Sequence, residues 1–252
     1  EWFIRAFNKY GEKFGTREDA YNQIYLNPQS WGVLSGLPER DRMVKAFDAV
    51  RLHLRTDWGL ALNYPAPNEF DFDKKYYTPF PAGARENGGI FYHSNPWAIM
   101  AETILGRNEY AYDYYQAMLP TRRNDIADLT KVEPYVYCQN MLGPQHPRFG
   151  AAYNSWLSGT AAWSFFTATQ YIFGIRPEYD GLLINPCLPD TWDEVRIERT
   201  FRGVLIKITI QNVYKGAKGT GQLIIDGVPV EGNRIRTDVL KGKQSIDAAF
   251  II

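Results

Sequence analysis

The spacing of apolar positions changes once along this chain. Across residues 41–54, Met43, Val44, Phe47, Val50 and Leu54 recur at intervals of one, three and four, the stripe of an amphipathic helix. Asn95-Pro96 ahead of residues 97–105 predicts a second helix, with Asn95 as its cap, Pro96 in the first turn and Gly106 as its end. Residues 109–118 predict a further short helix before Pro120. Residues 158–173 are almost free of charge and predict a helix buried among others, stopped by Gly174 and then Pro177. From about Leu182 the runs become β-rich, over 204–210 and 222–226, with a turn at Asp226-Gly227 and an extended edge at Val228-Pro229-Val230. Residues 1–181 therefore read as mainly helical and residues 182–252 as an antiparallel sheet domain. The connections in the helical part are long and rich in Gly, Pro, Asn and aromatics, which is where function concentrates.

Composition narrows the class. An apolar share of 45% over 252 residues supports a sizeable core. The aromatic share of 15%, with 7 Trp and 17 Tyr, favours contact with sugar faces, against the plainer reading of a ring-rich core. Twenty-eight basic residues balance 28 acidic ones, and no basic stripe runs along the chain, which argues against nucleic acid. No apolar run is long enough to cross a bilayer, so no membrane partner is expected. Cys138 and Cys187 give neither a disulfide framework nor a metal spacing, and two isolated thiols fit a reducing, cytoplasmic setting. The chain opens at Glu1 inside what reads as a structured segment, without a signal peptide. The expectation is a piece of a longer protein whose beginning is missing.

Two runs carry the candidate chemistry. The first is Arg85-Glu86-Asn87-Gly88-Gly89-Ile90-Phe91-Tyr92-His93-Ser94-Asn95-Pro96-Trp97, the second Asn154-Ser155-Trp156-Leu157-Ser158-Gly159-Thr160-Ala161-Ala162-Trp163. Each sets small hydrogen-bonding groups beside flat aromatic surface, a mixture that suits a ligand that is both sugar and anion. His93, just before a helix start, can donate to an anion held there, or can be a structural histidine. Ser158-Gly159-Thr160 opens a helix, where free N–H groups and a glycine permit close approach of an anion; an ordinary cap is the competing reading. Glu86 could bind sugar hydroxyls or transfer a proton, or simply pair with Arg85 at the surface. Gln139, set among tyrosines, can hold a hydroxyl with both ends of its amide, or face solvent. His53 reads as structural and His146 as a surface-loop residue. No pair of carboxylates suggests hydrolysis, which needs an acid and a base across a water. Phosphorolysis needs only the acid, because phosphate is already a nucleophile. No P-loop, zinc signature, nucleophile elbow or dinucleotide fingerprint is present.

Those two runs, with Tyr25-Leu26-Asn27-Pro28-Gln29-Ser30-Trp31, Glu133-Pro134-Tyr135, residues 174–182 and Phe201-Arg202-Gly203, resemble the cellobiose and chitobiose phosphorylases of glycoside hydrolase family 94. The resemblance implies the C-terminal half of an (α/α)6 barrel followed by a β-sandwich, jelly-roll-like domain. It implies reversible, inverting transfer of a sugar from a β-linked disaccharide or oligosaccharide to phosphate, giving an α-sugar 1-phosphate. Phosphate would be a substrate, with no cofactor and no metal, and the protein a homodimer. By motif, His93 matches the family's phosphate-binding histidine, and Ser158-Gly159 its phosphate-binding Thr-Gly pair. Gln139 matches the glutamine on the donor sugar. Glu86, with Arg85 where a lysine is frequent, matches an acceptor-side contact. Phe80 stands where cellobiose-specific members tend to carry tyrosine, which counts against glucose as acceptor.

The resemblance leaves one large gap. The family's general acid, an aspartate in a Trp-Asn-Asp type motif, belongs upstream of Glu1, as do its phosphate-binding arginine and donor-binding aspartate. Thr56-Asp57-Trp58-Gly59 is only superficially similar. The chain by itself is thus expected to be inactive. Two other readings stay open: an inverting hydrolase of (α/α)6 type, which needs a second catalytic carboxylate, and a non-catalytic carbohydrate-binding protein. The acceptor could be glucose, a cellodextrin, an aldonic acid or N-acetylglucosamine.

Overall fold

The computed structural model describes residues 1–68, 78–216 and 221–252. They form two compact units, Glu1–Leu105 with Asp113–Ser164, and Gly106–Tyr112 with Phe165–Ile252.

The first unit is built on helices α1 (Leu26–Leu34), α2 (Arg40–Leu54) and α3 (Asn95–Leu105), with α1 packed against both others. Pro28 lies in the first turn of α1, where its missing N–H breaks no intrahelical bond. The amphipathic stripe on α2 behaves as its spacing requires: Phe47, Val50 and Leu54 are buried and Leu52 faces out. His53, on the same helix, packs edge-on against Trp2 at 5.5 Å, the structural role expected of it. Burial lowers its pKa, with the Arg17 charge adding to the effect.

Helix α3 begins differently from its sequence reading. A 3-10 turn, Tyr92–Ser94, precedes it, and Asn95 is its first residue rather than its cap. The Asn95 amide points away from the helix instead. Its Oδ1 accepts from the Leu60 N–H at 2.7 Å, and its Nδ2 donates to the carbonyls of Leu60 (3.0 Å) and Phe91 (3.1 Å). A buried backbone segment needed partners, and that demand outweighed capping.

Helices α4 (Asn108–Met118), α5 (Ala127–Thr130) and α6 (Thr160–Thr167) follow. The predicted single helix over 158–173 is α6 followed by a π-helical stretch, Ala168–Ile172. Nor is it buried all round. Thr160, Ser164 and Thr167 are buried, while Phe165 is 72% exposed and Ala161 and Ala162 face solvent. Absence of charge does not say which face packs: small hydroxyl side chains let a neighbour approach closely, so this helix buries them and leaves larger apolar groups outside.

A three-stranded antiparallel sheet completes the first unit, with Cys138–Met141 in the centre between Ile90–Phe91 and Ala152–Ser155. Gly143, just beyond the central strand, has no room for a side chain, because a β-carbon there would collide with the Gly88 carbonyl.

The second unit carries two sheets. One has three strands, Ile175–Pro177, Gly181–Ile184 and Arg234–Arg236. The other has five, in the spatial order Glu194–Phe201, Val204–Gln211, Ser245–Ile251, Gln222–Ile225, Val228–Val230. Val204, Ile206, Ile208 and Ile210 alternate with outward residues along the second strand. The two hairpins turn at Arg202-Gly203 and Asp226-Gly227, each with two positive φ angles, the twist a two-residue hairpin requires. Pro229 sits on the edge strand, as expected of a residue that cannot donate. The sheet is not wholly antiparallel, however. Val204–Gln211 runs parallel to Ser245–Ile251, with Leu205 opposite Ser245 and Gln211 opposite Ile251. Parallel neighbours need a long crossover, and the intervening hairpin supplies one.

Candidate functional site

Strand register gathers the candidate residues. Ile90 pairs with Met141 and Phe91 with Asn140, while Ala152 pairs with Met141 and Ser155 with Cys138. Both outer strands thus run out at the end where the central strand begins. The chain leaving one reaches His93 within two residues. The chain leaving the other reaches Ser158 and Gly159 within four.

His93 is presented by its neighbours. Tyr92 is fully buried, its hydroxyl donating to the Trp58 carbonyl at 3.0 Å and lying 2.7 Å from the Met141 sulfur. Burial pushes the Tyr92 phenol well above its ordinary pKa, so it stays a donor. The Ser94 hydroxyl donates to the Phe91 carbonyl at 2.9 Å. With both flanks anchored inward, His93 is the half-exposed member of the turn.

The imidazole lies against Gly159. A β-carbon built on Gly159 would stand 2.6 Å from His93 Cε1 and 2.8 Å from Nδ1, so only glycine fits there. Aromatic rings frame the same imidazole. Trp97 meets it edge-on at 5.4 Å and Trp163 at 6.4 Å, and these two indoles meet each other at 5.8 Å. Trp31 extends the group, 5.3 Å from Trp97.

Ser158 and Gly159 sit at the mouth of α6. The Gly159 carbonyl accepts from the Trp163 N–H at 3.2 Å, the first intrahelical bond. The Ser158 hydroxyl accepts from the Thr160 N–H at 3.0 Å and bonds the Thr160 hydroxyl. The amides of Ala161 and Ala162 are left without an intrahelical partner, at the end where the helix dipole is worth about half a positive charge. The cap alternative is realised here: Ser158 satisfies the Thr160 amide, and the next two amides stay open.

Gln139, half-buried on the central strand, accepts at Oε1 from Asn154 Nδ2 at 2.9 Å. Beyond it, the chain entering the strand and the chain leaving Ser155 are tied together. Trp156 Nε1 donates to the Glu133 carboxylate at 3.0 Å, and the Tyr135 and Trp156 rings meet edge-on at 6.4 Å. Trp156 is 70% exposed and holds a left-handed backbone, φ 68°, rare for a bulky residue.

Phe80, Arg85 and Glu86 lie elsewhere. They belong to the loop that enters the sheet from its other end, away from the His93–Gly159 contact. Phe80 packs on Ala84, Leu142 and Ala151, and the Arg85 guanidinium lies 5.1 Å from the Phe80 ring centre. Arg85 and Glu86 are exposed, and the ring that the Arg85 guanidinium covers is that of Phe80. His146 is on the loop packed against Gly83, in keeping with its surface-loop reading.

Sequence reasoning quoted Trp97, Asn154 and Trp163 within the two runs and Glu133 within a shared motif, but gave none of the four a role of its own. A signal for Asn154 existed, since asparagine is the side-chain-bearing residue most tolerant of left-handed backbone. Among the described residues, no cluster of three or more His, Cys, Asp or Glu is placed to hold a metal ion, and no helix is long and apolar enough to cross a membrane.

Comparison with known proteins adds to this geometry. Residues 1–174 match the family described as the glycosyl hydrolase 94 superfamily, catalytic domain. The chain is 38% identical over 231 residues to the N,N'-diacetylchitobiose phosphorylase of Vibrio proteolyticus, covering 92% of this chain and 29% of that protein. It is 35% identical over 233 residues to the solabiose phosphorylase of Paenibacillus borealis, covering 92% of this chain and 30% of that protein. To the cellobionic acid phosphorylase of Neurospora crassa it is 28% identical over 216 residues, covering 84% and 27%. The chain thus spans less than a third of the length of these relatives.

Proposed function

The chain belongs to the glycosyl hydrolase 94 superfamily, and we propose that the protein carrying it is an inverting phosphorylase of a β-linked disaccharide or oligosaccharide. The observation that carries this reading is the contact of the His93 imidazole with Gly159 at the open mouth of α6. The imidazole abuts the residue that opens α6, with the Ser158 hydroxyl one residue before it and two open amides after it, a set of groups that suits a tetrahedral oxyanion. Phosphate held by His93, Ser158 and Gly159 attacks the anomeric carbon from the face opposite the glycosidic bond. A new C–O bond to phosphate forms as the bond to the leaving sugar breaks, and the configuration inverts to an α-sugar 1-phosphate. The leaving oxygen takes its proton from an aspartate outside this chain. No base is needed because phosphate is already a nucleophile, and holding it beside the sugar can contribute about 7 kcal/mol or more.

Gln139 holds the donor sugar, and Glu86, Arg85 and Phe80 belong to the acceptor side. The named relatives act on different disaccharides, so the acceptor is expected to vary with the loop around Phe80. In this reading residues 1–181 contribute to an (α/α)6 barrel and residues 182–252 to a β-sandwich. The protein works as a cytoplasmic homodimer without a cofactor, and this chain alone is inactive.

The test uses the protein expressed from its complete gene, incubated with cellobiose and with N,N'-diacetylchitobiose, with and without phosphate. The expected result is sugar 1-phosphate only when phosphate is present. Cleavage at an unchanged rate without phosphate makes the protein a hydrolase and overturns the proposal. Sugar binding without any turnover leaves the carbohydrate-binding reading instead.

A further inference from the structure

We infer that Asn154 is a positioning residue that fixes which end of the Gln139 amide faces the ligand. The inference rests on the reading of Gln139 as a sugar contact and deepens it. A carboxamide has an accepting oxygen and a donating –NH2, and its two orientations are sterically alike. Its neighbours decide between them. The Gln139 oxygen is already engaged, accepting from Asn154 Nδ2 at 2.9 Å. The end left for a ligand is Nε2, with its two N–H donors.

The strand register brings the two side chains together. By the count that pairs Cys138 with Ser155 and Asn140 with Tyr153, Asn154 stands opposite Gln139. Directly opposed residues share a sheet face. Yet Asn154 is left-handed, φ 55°, in the middle of a strand. That conformation costs an ordinary L-residue about 1–2 kcal/mol and asparagine less. Asparagine is the side-chain-bearing residue that best tolerates this backbone, and here its amide bonds Gln139 across the strands.

The consequence is a rule for the ligand. At this position the substrate offers an oxygen that accepts, such as a hydroxyl or ring oxygen, and a hydroxyl bound here sends its own proton to another partner. A protonated amine, which can only donate, is rejected there.

Two substitutions separate this role from a structural one. Asn154→Gly keeps the left-handed backbone and deletes the amide, leaving Gln139 free to turn. Asn154→Asp tolerates the backbone but can only accept, so it takes the Gln139 –NH2 and turns the oxygen outward. Both are made in the protein expressed from its complete gene, and Kd for cellobiose and for N,N'-diacetylchitobiose is measured by calorimetry beside KM for phosphate. Asn154→Asp is expected to weaken sugar binding by about tenfold, the worth of one hydrogen bond lost and one acceptor clash gained, with Asn154→Gly between it and the parent. The phosphate KM should stay within about twofold, and the sugar effect should survive raised salt, which screens the new charge. Equal sugar Kd in parent and Asn154→Asp overturns the inference, as does an equal loss in both variants with a matching fall in melting temperature. Calorimetry reads sugar binding whether or not phosphate is consumed. A parent that binds sugar without phosphate-dependent turnover therefore sinks the phosphorylase reading while still deciding this one. A parent that binds neither sugar overturns both.

Discussion

The imidazole of His93 occupies the space a side chain at position 159 would need: Cε1 stands 2.6 Å from where a β-carbon of Gly159 would be. Gly159→Ala therefore has to move a ring wedged between Trp97 and Trp163, and the ring has little room to give. In the protein expressed from its complete gene, KM for phosphate should rise by about tenfold or more, and sugar Kd should change far less. Steady-state kinetics with phosphate varied at saturating sugar checks this. An unchanged phosphate KM removes His93 from the anion site.

The Asn95 amide is the sole side chain bonded to both backbone groups of Leu60 among the described residues. Asn95→Ala leaves a buried N–H and a buried carbonyl unpaired, which should destabilise the protein by about 2–4 kcal/mol. Urea denaturation measures the loss. Asn95→Asp should not restore it, because a carboxylate cannot donate to the Leu60 carbonyl.

Glu133 accepts from Trp156 Nε1, and its pKa is lowered by a hydrogen bond from its own backbone first, then by bonds from Trp156 and Ser155. A carboxylate with a depressed folded pKa stabilises the fold above its unfolded pKa of about 4.3, and the contribution is lost as pH falls through the lower folded value. The Trp156 indole N–H resonance should therefore hold its position down to the ordinary glutamate range and move only below it. A resonance that moves with a midpoint above that range contradicts the pairing.

Cys138 lies on the buried side of the central strand, and burial pushes its thiol pKa up to about 11. Cys187 is buried as well, and neither is in a disulfide. Neither thiol should react with N-ethylmaleimide near neutral pH until the protein is unfolded. Peptide mapping after brief labelling, with and without urea, reads this directly; rapid labelling of Cys138 in the folded protein would show that the strand opens.

Helix α2 and the hairpin strands were legible because one face of each is buried and the other is not, so spacing alone marks them. Phe47, Val50, Leu54 and Val204, Ile206, Ile208 are buried at those spacings. Helix α6 was legible as a helix and not as a surface: its apolar residues outnumber its hydroxyls, yet the hydroxyls at Thr160 and Ser164 are what it buries. The parallel pairing of Leu205 with Ser245 was hidden because strand patterns carry no sign of direction. Within the candidate site, His93 and Gly159 stood out as residue types, but their contact depends on two loops brought to one sheet end, which no local pattern encodes. Asn95 was misread because its partner, Leu60, is 35 positions away.

The central strand also acts as a ruler. Side chains alternate faces along it, so Gln139 and Asn140 look in opposite directions, and Asn140 is buried. The base of the excursion between Met141 and Ala152 is fixed by the Leu142–Ala151 core and by Gly143 against Gly88, so only its outer part can change length while Met141 stays opposite Ala152. Sliding the strand by a single position would turn Gln139 into the interior, expose Asn140, and carry the start of α6 off the imidazole. Evolutionary variation in this region is therefore expected in the length of that outer part and never in the pairing beneath it.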